Sequence, residues 1–170
     1  MRSLQRSEEQ DQKMFFEQLG LLQAIWPRLA LAFHIPNSGA GPLRGMAGRM
    51  RGMGVKAGVP DIFYPVARQG YHGFWIELKS LKPGARVSPE QTAWLNCLVA
   101  EGYRALVCRG YQQALEQIVS YETGLIYSAV EIVRLPVICA VYGRKHIDTL
   151  FSNRRRVVLS GQKQMELFKK

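Results

Sequence analysis

Acidic residues are scarce in this chain, long apolar runs are missing, and cysteine is thinly spread. No run of about 18 apolar residues occurs, the length a membrane-spanning helix requires, so no membrane span is expected. The opening MRSLQRSEEQ is polar and lacks the apolar segment of a signal peptide, which points to a cytosolic protein. Cys97, Cys108 and Cys139 are odd in number, far apart and set among apolar neighbours, so they read as reduced core thiols rather than disulfides. His34, His72 and His146 stand at no zinc-ligating spacing to any cysteine. The glycines at 39, 41, 45, 48, 52, 54 and 58 match neither a phosphate-binding P-loop nor a dinucleotide fingerprint.

What the chain does have is positive charge. Lys and Arg number 23 against 13 Asp and Glu, a net charge of +10. Residues 124–170 hold nine basic against three acidic residues, and residues 40–56 carry Arg44, Arg49, Arg51 and Lys56 with no acid. A soluble basic surface accounts for such a balance, and so does a polyanionic partner, since a cation near a phosphate releases condensed counterions.

Periodicity and turn residues predict an α/β domain. SEEQDQKMFFEQLGLL reads as a helix with Ser7 as N-cap, acids in the first turn, and Met14, Phe15, Leu19 and Leu22 on one face. LALAFHIP reads as a strand ending at a proline. A glycine-rich loop comes next, with room for a short helix near residues 46–50. DIFYPV and GFWIELKS form a hairpin through ARQGYH, and SPEQTAWLNCLVAEG is a helix opened by Ser88 and Pro89. YRALVCR is a strand and GYQQALEQIVSYETG a helix closed by glycine. Beyond Gly124, VEIVRLPVICAVYG suggests one or two further strands, and SNRRRVVLSGQKQMELFKK a basic tail with a short terminal helix. The core is thus residues 1–123, and 124–170 reads as an extension packed on it or at a dimer interface.

The hairpin carries the chemistry. Glu77 and Lys79 are two apart and share one strand face with Trp75, while Phe74, Ile76 and Leu78 suit a core on the other. Asp61 begins the neighbouring strand, where antiparallel pairing sets it beside Glu77. Two adjacent carboxylates repel, and oxygen donors with open positions favour Mg2+ or Mn2+. A lysine beside such an ion positions water or stabilises charge growing on a phosphate. On Glu-x-Lys alone, a motif so short, a buried ion pair with a surface aspartate is the better reading. Trp75, Tyr71 and His72 surround the hairpin turn, either as packing residues or as surfaces on which an unpaired base stacks. Trp94 and Leu95 read as core.

Pro60-Asp61, fifteen residues, then Glu77-Leu78-Lys79 resembles the PD-(D/E)XK nuclease signature. The ordered pieces SEEQDQ, HIPNSG, GVKAGVPDIF, WIELKS, SPEQTAWL and GYRALV resemble the VRR-NUC family, the virus-type replication-repair nucleases, over roughly residues 7–120. The resemblance implies a restriction-endonuclease-like core, αβββαβ, with a central mixed sheet flanked by helices and a basic C-terminal extension. It implies that Asp61, Glu77 and the Leu78 carbonyl hold Mg2+ or Mn2+, that Lys79 is the catalytic lysine, and that a first-helix glutamate completes the site. Glu8 fits the family pattern Glu-x-x-x-Gln with Gln12; Glu9 is one step away. Gln91 resembles a glutamine that faces this site. His34 and Asn37 lie in the turn near it, where His34 contacts a phosphate or water or simply caps the turn. Arg44, Arg49, Arg51 and Lys56 clamp the DNA backbone or are solvated charge. Stand-alone relatives resemble homodimeric enzymes that resolve junctions, and short members suggest a phage or prophage origin. The implied function is a metal-dependent endonuclease on branched DNA. The alternatives are a monomeric flap or nicking enzyme, or a weakly catalytic DNA-binding accessory protein.

Overall fold

Ser7 opens the first helix, α1 (Glu8–Leu22): its side chain accepts from the Gln10 amide, and the Gln10 side chain returns to the Ser7 amide. The structure, a computed structural model, describes residues 6–36 and 52–143. The segment LALAFHIP is only partly a strand. Pro27 starts a 3₁₀ turn over Pro27–Leu31, a position its fixed φ and missing N–H suit. Only β1 (Phe33–His34) remains extended.

The sheet runs β1, β2 (Ile62–Tyr64), β3 (Phe74–Lys79) and β4 (Arg104–Arg109) in spatial order. The first two pairings are antiparallel, and β3 with β4 is parallel. The parallel crossover is α2 (Pro89–Ala100), and α3 (Gly110–Thr123) comes after β4. The expected αβββαβ order and mixed sheet are therefore present.

Alternation divides the sheet faces as the hairpin sequence predicts. Ile62, Tyr64, Phe74, Ile76 and Leu78 are wholly buried against Phe15, Leu19 and Leu22 of α1 and Leu115, Ile118 and Val119 of α3. On the other face, Leu95 and Leu98 of α2 pack with Ala105, with Trp94 partly buried beside them. The hairpin turns at Gln69 and Gly70, both with positive φ, as a two-residue turn between twisted strands requires. Its tip is tied to the end of α3 by the Arg68–Glu122 ion pair at 3.0 Å and by Gln69 Nε2 donating to the Ser120 and Tyr121 carbonyls. Tyr71 is buried there, in the packing role.

VEIVRLPVICAVYG is not strand but helix α4 (Ala129–Tyr142). The run of β-branched residues and Pro136 favoured extended backbone, but the Ser128–Glu131 capping box starts a helix. Ile132 and Leu135, three apart, are then fully buried in the main core. Val130, Val133, Val137 and Val141 face outward. Cys108 is buried as expected, whereas Cys97 is exposed on α2 rather than in a core; all three thiols are free. The short helix near residues 46–50, the basic tail with Arg154, Arg155 and Arg156, and its terminal helix lie outside the described residues. No helix among the described residues is long and apolar enough to cross a membrane.

Candidate active site

β2 is three residues long and β3 six, so β3 outruns its partner. The Leu78 N–H, which a longer β2 would have bonded, instead donates to Asp61 Oδ2 at 2.8 Å. In an extended residue the N–H and C=O point to the same edge, which turns the Leu78 carbonyl toward Asp61 as well. The Asp61 carbonyl accepts from the Ile35 amide at 2.8 Å and lies 2.9 Å from His34 Nδ1, so the turn after β1 holds Asp61 from behind. The register Ile62 to Ile76 sets Asp61 opposite Glu77 one step further on.

Asp61 is also pinned from its N-terminal side. Gly58 has φ +83°, and a Cβ there would sit 2.6 Å from the Glu90 backbone, so only glycine allows this close approach to the first turn of α2. One residue earlier, the Ala57 carbonyl accepts from Trp94 Nε1 at 3.0 Å. GVPD is thereby clamped to α2, a role of Gly58 and Trp94 that pattern reasoning missed.

Glu77 is fully buried and Lys79 is 6% exposed. Lys79 Nζ donates to Glu77 Oε1 at 2.6 Å and lies 3.6 Å from Glu8 Oε2. Gln91 Nε2 donates to the same Glu77 Oε1. The other oxygen, Glu77 Oε2, is buried with no hydrogen-bond partner. A buried carboxylate oxygen without a donor is costly unless something cationic comes to it.

The local electrostatics agree. Burial and the neighbouring Asp61 push the Glu77 carboxyl up to about 7, although Lys79 acts in the opposite direction. Burial also raises Glu8, offset in part by Lys79. For Lys79, burial disfavours the ammonium, but the hydrogen bond to Glu77 and the nearby Glu8 and Asp61 charges outweigh it and raise its pKa. Lys79 is therefore a fixed cation in a pocket with excess acid.

This arrangement suits a divalent ion. The donors are all oxygen, Glu77 Oε2 is unclaimed, and Asp61 spends only Oδ2 on Leu78. Among the described residues no three His, Cys, Asp or Glu side chains already form a ready metal cage, because Glu8 turns to Lys79. Asp61, Glu77 and the Leu78 carbonyl are the groups that could hold such an ion.

The structure brings Asp61, Glu77, Lys79, Glu8 and Gln91 together. It separates Glu9, which pairs with Lys13 in solvent at 2.7 Å. Lys56 is exposed, and Asn37, Arg44, Arg49 and Arg51 lie outside the described residues.

Comparison with known proteins places the fold beside one family. Residues 34–112 match the family model of the VRR-NUC domain. A solved structure titled "VRR_NUC domain protein" is similar at a TM-score of 0.54 and 25% identity, covering 69% of this chain and 88% of that one. No curated protein matches the chain. Residues 34–112 thus match the VRR-NUC domain, a nuclease family, and the fold is similar to that of a solved VRR-NUC domain protein.

Proposed function

We propose that the chain is a Mg2+- or Mn2+-dependent endonuclease that hydrolyses phosphodiester bonds in structured or branched DNA, four-way junctions included. The observation that carries this reading is the buried Glu77–Lys79 pair with Asp61 opposite and Glu77 Oε2 left without a donor.

Asp61, Glu77 and the Leu78 carbonyl are the groups to hold the ion, with Glu8 at the rim. A bound divalent ion supplies Lewis-acid polarisation of the scissile phosphate. Gln91 and Lys79 fix Glu77 through Oε1, so Oε2 is the oxygen that would be left to bind an ion. Lys79 stays protonated, so it orients the attacking water by donating to it and stabilises the negative charge that grows on the phosphoryl oxygens. The net charge of +10 favours a polyanionic substrate.

We further propose that residues 1–123 are the nuclease core, that 124–170 are an extension, and that two copies work as a two-fold dimer. The outward face of α4 supports the dimer: apart from Arg134 it is apolar, and its valines are arranged almost symmetrically about the middle of the helix. The reading is tested by incubating flap, splayed, four-way and linear DNA with Mg2+ or Mn2+ and with EDTA. Metal-dependent cuts in branched DNA are expected. A purified wild-type protein that cuts none of them overturns the nuclease reading.

A further inference from the structure

A row of aromatic rings crosses the sheet next to the acidic site. Phe33 of β1 meets Phe63 of β2 edge-on, with centroids 5.8 Å apart at 81°. Phe63 stacks on Trp75 of β3, 4.1 Å apart at 16°. Tyr103 closes the far end against both, at 6.0 and 6.5 Å. The backbone makes room for the row, since a Cβ at Gly73 would lie 2.9 Å from the Phe63 ring.

Position makes this row more than packing. Phe33, Phe63 and Trp75 are paired in register, so they share one face of the sheet. It is the face of Asp61, Glu77 and Lys79, because side chains two residues apart in a strand point the same way. The aromatic row is one such step, about 7 Å, from the Asp61–Glu77 row. The far end of the row is sheltered: α2 covers β3 and β4, and Trp75 and Tyr103 pack with Leu95, Leu98 and Ala105. The near end is open, for Phe33 is 47% exposed on the short edge strand.

We propose that Phe33, backed by Phe63 and Trp75, is a stacking platform for one unpaired nucleobase of the substrate. This rests on the nuclease reading and narrows it: the preferred DNA has a single-stranded or splayed nucleotide beside the scissile phosphate. A phosphate held at Asp61 and Glu77 carries its own bases within reach of the platform. In continuous duplex those bases are stacked on their neighbours and present only edges, whereas a splayed base offers a free face. A flat apolar ring reads such a face without regard to sequence.

The test uses the full chain, duplex and splayed DNA, and a fluorescent adenine analogue at the first unpaired position. Wild-type protein in EDTA is expected to quench the analogue in splayed DNA. Phe33→Ala and Phe33→Leu are expected to lose the quenching and to bind splayed DNA roughly tenfold or more weaker, with duplex affinity unchanged. Phe33→Trp restores both. The leucine variant keeps apolar bulk, so its loss isolates the ring face from packing, and thermal melting checks that every variant is folded. Absence of quenching in the wild type, full binding by Phe33→Ala, or equal losses on duplex and splayed DNA each overturn the platform. Quenching without cleavage of any DNA would leave the platform standing and remove the nuclease reading. Cleavage without quenching would do the reverse.

Discussion

The Gln91 side-chain amide joins the start of α2 to the carboxylate of Glu77. Its Oε1 accepts from the Ser88 amide at 2.9 Å, closing a capping box, while its Nε2 donates to Glu77 Oε1. One residue therefore begins a helix and orients an acid, and the two functions separate by mutation. Ser88→Ala removes the cap hydroxyl and is expected to cost about 1 kcal/mol of stability with little change in kcat. Gln91→Ala is expected to cost similar stability and also to lower kcat by ten- to a hundredfold, because Glu77 loses a donor that fixes its rotamer. Urea unfolding beside steady-state kinetics reads both, and equal kcat values for the two variants would remove the orienting role of Gln91.

Lys79→Ala is expected to lower the cleavage rate by a hundred- to a thousandfold or more, as the loss of a charge-stabilising donor does. Removing one partner of a buried ion pair normally destabilises strongly. Here the damage is limited, because Glu77 is already raised to about 7 and takes up a proton instead of remaining charged. Circular dichroism and DNA-binding isotherms should stay close to wild type. A Lys79→Ala protein that cuts at the wild-type rate would dismiss Lys79 from the chemistry.

Two adjacent glutamates offer a controlled comparison. Glu8 faces Lys79, and Glu9 faces Lys13 in solvent. Glu8→Gln is expected to reduce activity at least tenfold and to raise the Mg2+ concentration needed for half-maximal rate. Glu9→Gln should leave both within about twofold, since solvent screens that pair. Metal titrations of the two variants decide the matter, and a larger effect at Glu9 would reverse the assignment.

Glu77 also predicts a pH dependence of the metal-free protein. Its folded-state pKa is raised from 4.5 to about 7, so the fold favours the neutral carboxyl. That contribution is complete below pH 4.5 and is lost as pH rises through 7; the raised Glu8 acts in the same direction. Glu77→Gln cannot ionise. In EDTA the stability of the variant relative to wild type is expected to grow between pH 5 and pH 8, by up to roughly 3 kcal/mol. Mg2+ should then stabilise the wild type and not the variant. A pH-independent difference would mean that Glu77 ionises normally.

The parts of this site readable in the sequence were those that local rules govern. Strand alternation alone put Phe74, Ile76 and Leu78 inside and Glu77 with Lys79 on the opposite face, as found. The family spacing Glu-x-x-x-Gln favoured Glu8 over Glu9, and the way α1 meets β3 sets Glu8 beside Lys79 and Glu9 beside Lys13. The clamp from Gly58 to Glu90 joins residues 32 positions apart, and pattern reasoning gives no partner for it. Helix α4 was hidden because valine, isoleucine and Pro136 favour extended chain; the signal that could have found it was the Ser128-x-x-Glu131 box.

That helix yields the last prediction. The outward residues Val130, Val133, Val137 and Val141 recur at three- and four-residue steps, the spacing of one helical face, with Arg134 the charge among them. Turned about a two-fold axis through the middle of the helix, Val130 comes near the partner's Val141 and Val133 near the partner's Val137. The stripe is therefore close to self-complementary, as a contact between identical surfaces must be. Val137→Arg places a charge at its centre while Ile132 and Leu135 keep the inner face buried, so folding is retained. The variant is expected to weaken dimerisation by about thirtyfold or more, in the range of a central interface residue. Sedimentation equilibrium should show wild-type dimer and mostly monomeric variant at the same concentration. If each subunit serves one strand, as the proposed dimer requires, the variant should nick one strand of four-way DNA and fail at paired cuts. A wild-type protein that sediments as a monomer with and without junction DNA would end the dimer reading and leave single-strand cutting as the function of this site.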